Sequence, residues 1–127
     1  MTRDKQKKLQ AFYTPDALAD KMVSKFTSLD GNFVDPTCGS DLQLLKALIR
    51  AGVKPECCYG NELDYESYIG ALETAKEIGI PEENIFNMDA LNDDLYKKLP
   101  EQYQVIMNPP FKFGNKILKK VLEWMPE

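Results

Sequence analysis

Short extended runs alternate with helical stretches along almost the whole chain, and this alternation limits the possible folds more than any other feature. Extended runs fall at residues 32–35, 57–63, 84–89 and 104–107. Around them, apolar residues recur at helical spacing: Leu18, Met22, Val23 and Phe26, then Leu42, Leu45, Leu48 and Ile49, and finally Ile117, Leu118, Val121, Leu122 and Met125. Two more helical stretches lie at 65–79, closed by Gly79, and at 91–99, closed before Pro100. Ahead of the first extended run, Thr14 is placed to cap a helix, and Pro15 suits the first helical position, where its missing N–H is not needed. Strands alternating with helices predict βαβ units and a parallel sheet. Each unit takes about 30 residues, so 127 residues hold roughly four strands. The expected class is α/β, a doubly wound parallel sheet with flanking helices that binds its ligand at the carboxyl ends of the strands.

Amino-acid usage narrows the class further. Hydrophobic residues make up 43% of the chain and charged residues 28%. This ordinary globular balance excludes a wholly disordered tail, a collagen-like chain and a disulfide-dense mini-protein. No apolar run approaches the ~20 residues needed to cross a bilayer. Residues 1–10 are basic and polar, are expected to be mobile, and have no apolar segment behind them. They predict no secretory signal and a cytoplasmic location. Sixteen Lys and Arg against twenty Asp and Glu give a net charge of −4. A domain that grips a nucleic-acid backbone unaided is usually basic, so most of any such grip must come from elsewhere. The chain has no histidine, which removes the usual neutral-pH base and every His-containing zinc site. Cys38, Cys57 and Cys58 form neither a disulfide framework nor a CxxC pair. They are expected as reduced, mostly buried thiols, and no metal site is predicted.

All four extended runs end in unusual residues. The first runs into Asp35-Pro36-Thr37-Cys38-Gly39-Ser40, a loop whose backbone N–H groups can face a ligand and whose Gly39 permits close approach; a tight turn without a ligand fits the same residues. The second ends at Gly60-Asn61-Glu62. An acid about 20 residues past a glycine loop is placed to accept hydrogen bonds from both ribose hydroxyls, or else to cap the next helix. The third ends at Asp89, which can accept from an adenine amino group or cap the helix behind it. The fourth is followed at once by Asn108-Pro109-Pro110-Phe111. Two successive prolines fix the backbone and donate no hydrogen bond. Asn108 and the Pro109 carbonyl can therefore aim two acceptors at one spot, suited to an exocyclic amine, beside the Phe111 ring, suited to stack a base.

Together these segments resemble the amino-directed, S-adenosylmethionine-dependent DNA methyltransferases, specifically the N6-adenine class with the cofactor motifs first, as in restriction-modification systems. FYTP with its helix is similar to that family's motif X, FVDPTCGS to motif I, YGNELD to motif II, NMDAL to motif III and NPPF to the catalytic motif IV, in order over residues 11–125. NPPF alone is shared with protein glutamine and RNA amino methyltransferases; the YTP helix tilts the resemblance toward DNA adenine. The resemblance implies a Rossmann-like methyltransferase fold with S-adenosylmethionine as cofactor. It implies that Tyr13 and Thr14 touch the methionine end, and that Asp35, Pro36, Thr37, Cys38 and Gly39 line the methionine moiety. Glu62 would hold the ribose hydroxyls, Leu63 would pack on the cofactor adenine, and Asp89 would receive the adenine amino group. Asn108 and Pro109 would bind the target amine, Pro110 would stiffen the turn, and Phe111 would stack on a base flipped from the duplex. Transfer would then rest on positioning and electrostatics, with no histidine, metal or covalent intermediate.

Two departures from the family pattern shape the expectations. Motif I usually continues as GSG, whereas this chain reads Gly39-Ser40-Asp41. Asp41 either brings negative charge toward the methionine carboxylate or caps the following helix. The family sheet usually has seven strands and is followed by a target-recognition domain. Residues 11–127 are therefore expected to form a partial catalytic domain without strands five to seven, inactive by itself. Val105, Ile106 and Met107 would form an exposed apolar edge, open to a completing chain or to self-association, and the last helix would expose apolar residues including Trp124. DNA would be reached through a separate recognition part, and no membrane partner is expected. A non-catalytic, truncated methyltransferase-like interaction module is the competing reading.

Overall fold

The computed structural model describes residues 14–109 and 114–126. Residues 1–13, which include Tyr13 and the segment expected to be mobile, lie outside the described residues, as do Pro110 and Phe111.

The first helix, α1 (Asp16–Val23), starts one residue later than expected. Pro15 is its N-cap, in an extended conformation (φ −57°, ψ 147°), and the Pro15 carbonyl accepts from the Ala19 N–H at 2.9 Å. Thr14 is thus too far upstream to cap the helix. Ala19 and Val23 are its buried residues, whereas Leu18 is 44% exposed.

Strand β1 (Phe33–Asp35) is buried along its whole length. Helix α2 (Gln43–Arg50) follows, with Leu44, Leu45, Ala47 and Leu48 buried. Its N-cap is Leu42, a buried residue in the left-handed region (φ 52°). That conformation typically costs a non-glycine residue about 1 kcal/mol, offset here by complete burial of the leucine. No side chain caps α2, so Asp41 does not have the capping role open to it.

A 3₁₀ turn (Pro55–Cys57) leads into β2 (Cys58–Asn61). Helix α3 (Tyr65–Ile78) is capped by Asp64, whose carboxylate accepts from the Ser67 N–H at 3.0 Å. Gly79 ends it at φ 86°, a left-handed cap that glycine adopts without strain.

The third strand is shorter than the run 84–89 suggested. Asn84 lies in a 3₁₀ turn (Glu82–Asn84) and donates through its carboxamide to the Glu56 and Cys58 carbonyls, which leaves only β3 (Ile85–Phe86). Helix α4 (Asp93–Lys97) is capped by Asn92. Strand β4 (Gln104–Val105) is likewise short, although the Ile106 N–H still donates to the Val34 carbonyl at 3.0 Å. Helix α5 (Gly114–Trp124) closes the described chain.

All pairings are parallel and the strand order is β3-β2-β1-β4. Phe33 and Ile106 pack with α1, α2 and α3 on one face. Val34 packs with Leu95 and Tyr96 of α4 and with Ile117 and Val121 of α5 on the other. Helices thus cover both faces, and the expected doubly wound arrangement is borne out. The order reverses between β1 and β4, and such a switch point opens a crevice at the carboxyl ends of the strands.

β4 lies at the edge of the sheet, as expected, but its side chains are not an apolar surface. Ile106 is buried, and Val105 and Met107 are half-buried against the second cluster. On α5, Leu118, Leu122 and Met125 are exposed. Trp124 is not. Its ring stacks on Tyr96 at 6.1 Å, and its Nε1–H donates to Asp93 at 2.9 Å. Cys38 and Cys58 are buried free thiols and Cys57 is half-buried. No described helix is long and apolar enough to cross a membrane.

Candidate active site

The loop after β1 is built from backbone donors and short side chains. Asp35 is buried, and its Oδ1 accepts from the Thr37 N–H at 3.0 Å. Burial pushes its carboxyl up to about 7; the Thr37 N–H opposes that shift and the nearby Glu62 charge adds to it. Pro36 is fully buried behind it. The Cys38 N–H donates to the Asn61 carbonyl at 2.8 Å, which ties the loop to the end of β2. The Cys38 thiol faces inward: a Cβ on Gly60 would meet its Sγ at 3.0 Å, so glycine there makes room for it. Burial raises that thiol well above its ordinary value, so the side chain is a packing group rather than a nucleophile. Gly39 has φ +69° with open space where a Cβ would sit, so left-handed backbone rather than crowding selects glycine. Thr37 Oγ1 is buried without a hydrogen-bond partner among the described residues.

Glu62 stands against this loop. Its Oε1 accepts from the Gly39 N–H at 3.1 Å and its Oε2 from the Asp64 N–H at 2.9 Å. It is therefore not a helix cap; Asp64 has that role. Burial raises the Glu62 carboxyl, while the Asp64 and Gly39 N–H groups pull it back. Leu63 projects from the same turn and is 66% exposed. Asn87 holds the turn by donating to the Glu62 and Leu63 carbonyls at 2.8 and 3.1 Å. Asp89 is exposed and accepts from the Leu91 N–H at 2.9 Å. It does not cap α4, whose first turn is satisfied by Asn92.

Asn61 joins three strand ends, a role that sequence reasoning missed. Its Nδ2 donates to the Pro36 and Met88 carbonyls at 3.2 and 2.8 Å, and its Oδ1 accepts from the Met88 N–H at 3.0 Å. Being fully buried, it can hold the loops after β1, β2 and β3 in fixed relation. The sequence offers only a weak signal for this, an amide beside the strand-end acid.

At the fourth strand end, the Asn108 Nδ2 donates to the hydroxyl of buried Thr14 at 3.2 Å. The residue ahead of the first helix is thereby joined to the Asn-Pro step across most of the chain. Thr14, Asp35, Pro36, Thr37, Cys38, Gly39, Glu62, Leu63, Asp89, Asn108 and Pro109 all lie in the described structure, at or beside the carboxyl edge of the sheet.

A parallel sheet that reverses at β1 and β4 and gathers a glycine loop, a half-buried carboxylate and an Asn-Pro step at one edge defines a Rossmann-like methyltransferase fold. The N-6 DNA Methylase family matches residues 1–126, and the chain belongs to that family. Among solved structures, it is similar to the methyltransferase subunit of a type I restriction-modification system from Streptococcus thermophilus, with 31% identity and a TM-score of 0.63. That match covers 80% of this chain and 24% of the subunit, so the chain spans about a quarter of the subunit's length. No curated protein matches the chain. Methyltransferases of this family use S-adenosylmethionine in general.

Proposed function

We propose that residues 11–127 form the cofactor-binding and amine-binding part of an adenine-N6 DNA methyltransferase that becomes active when joined to its remaining strands and a DNA-recognition part. The observation that carries this reading is the meeting of the Asn-Pro step with Thr14 at the sheet edge that also holds the Gly39 loop and Glu62.

The residues present fit S-adenosylmethionine. Each Glu62 oxygen accepts one backbone N–H and keeps a second lone pair for a ribose hydroxyl. The Gly39 loop has open space on its Cβ side. Leu63 is exposed beside Glu62, where it can cover an adenine face. When bound, the cofactor supplies a methyl group on a positively charged sulfonium.

The chain's own residues then act by position. With its Nδ2 engaged by Thr14, Asn108 keeps its Oδ1 as an acceptor for the incoming amine. The Pro109 carbonyl is the second acceptor, and a proline at 110 adds no competing N–H. Two acceptors off the ring plane favour a pyramidal nitrogen, with its lone pair free of the adenine ring. Phe111 would stack on the flipped base. A net charge of −4 leaves most of the phosphate grip to another part of the assembly. The open edge of β4, with exposed Leu118 and Leu122 nearby in sequence, is the surface for a completing chain or a second copy. The cytoplasm is the compartment where such an assembly meets DNA.

Calorimetric titration with S-adenosylmethionine tests the cofactor assignment. The chain is expected to bind, and Glu62→Ala to lose at least about tenfold in affinity, the usual scale for one charge-assisted hydrogen-bond pair. Equal binding by parent and variant would remove Glu62 from the site.

A further inference from the structure

Helix α3 carries a glycine in its interior, at Gly70, where alanine would make the stronger helix. Its neighbours explain the choice. A Cβ on Gly70 would stand 2.8 Å from the Ser40 Cβ and 3.7 Å from its Cα, a clash with the root of the side chain rather than its flexible tip. One turn further along the same helix face, the Thr74 hydroxyl lies 2.8 Å from the Ser40 carbonyl and 3.1 Å from the Gly70 carbonyl. A threonine inside a helix often donates only to the carbonyl four residues back. Here the shorter contact goes to the loop. Gly70 and Thr74 together make a seat into which Ser40 fits, one by leaving room and the other by holding the carbonyl.

Ser40 follows Gly39, whose N–H faces Glu62, and precedes the strained Leu42 cap by two residues. A turn that ends on a left-handed leucine persists because its surroundings hold it, and the α3 seat is one of those supports.

We propose that Gly70 and Thr74 are positioning residues for S-adenosylmethionine: they set where the Gly39–Ser40 turn stands against Glu62, without touching the ligand themselves. This rests on the cofactor reading above and adds two residues from a helix to which neither the motifs nor the resemblance assigned a role.

The test compares the parent chain with Thr74→Val, Thr74→Ser and Gly70→Ala, reading S-adenosylmethionine affinity by calorimetry and amide hydrogen exchange at residues 39–42 without ligand. Thr74→Val is expected to weaken binding about tenfold and to speed exchange in the turn, with the thermal midpoint lowered only by the few degrees that one lost hydrogen bond costs. Thr74→Ser keeps the hydroxyl and is expected to restore both readouts. Gly70→Ala is expected to weaken binding although alanine is the better helix former. A parent chain that binds, with unchanged affinity and exchange in Thr74→Val, overturns the positioning role. A folded parent chain that binds no S-adenosylmethionine overturns the cofactor reading itself, and the positioning role with it.

Discussion

Asp35 ends the first strand with a carboxyl group that is almost wholly removed from water and held by one backbone N–H. Its proton affinity is raised in the folded chain, to about 7 from an ordinary 3.8. A folded state that holds a proton more tightly than the unfolded state loses stability as pH rises between the two values. The thermal midpoint is therefore expected to fall between about pH 4 and pH 7. Glu62 shifts in the same direction and adds to the slope. Asp35→Asn keeps an oxygen for the Thr37 N–H and should flatten that decline, a result readable by calorimetric melts across the range. A midpoint that rises with pH over the same window would contradict the placement of Asp35. The type of residue at each strand end was legible in the sequence, because an acid or an Asn-Pro step at the close of an extended run is conspicuous. The partners were not. Asn108 finds Thr14 from 94 positions away, and Asn61 reaches carbonyls 25 and 27 positions away, and no local pattern encodes such distances.

Among the elements, the helices were easier to read than the strands. Apolar spacing located α2 and α5 within a few residues, since a helix announces itself over several turns, and Gly79 marked the end of α3. Strands of two to four residues give too short a signal to fix their ends. Asn84 illustrates why: it belongs by composition to an extended run, yet it uses its side chain to close a turn. The end of α5 was misjudged for a related reason. Trp124 looks exposed when α5 is read alone, but Tyr96 and Asp93 of α4 supply a stacked ring and an acceptor. The Tyr103 hydroxyl also donates to the Trp124 carbonyl at 2.9 Å, which pins the helix terminus. Trp124→Ala is expected to lower unfolding stability by roughly 2 kcal/mol through the lost ring packing and hydrogen bond. Leu122→Ala, on the exposed face, should stay within about 0.5 kcal/mol of the parent. Urea denaturation separates the two; equal losses would mean that α5 is not docked through Trp124.

For the molecule as a whole, the strand order explains why the chemistry gathers where it does. β2 and β3 extend the sheet to one side of β1 and β4 to the other, the kind of reversal at which open α/β sheets bind their ligands. The helix sides, the parallel sheet and the family were all readable from the order of motifs. The mutual arrangement of the loops was not, because it depends on Asn61, Asn87 and the seat on α3. The carboxyl edge of the sheet is expected to bind S-adenosylmethionine. The most direct measurement is a backbone amide chemical-shift titration of the chain with S-adenosylmethionine. Shifts are predicted at Gly39, Glu62 and Asp64, whose N–H groups lie around the Glu62 carboxylate and its turn, while Leu118 and Leu122 on α5 stay still. Shifts confined to the opposite end of the sheet, or to the groove between α1 and α2 lined by Asp20, Phe26 and Arg50, would contradict it.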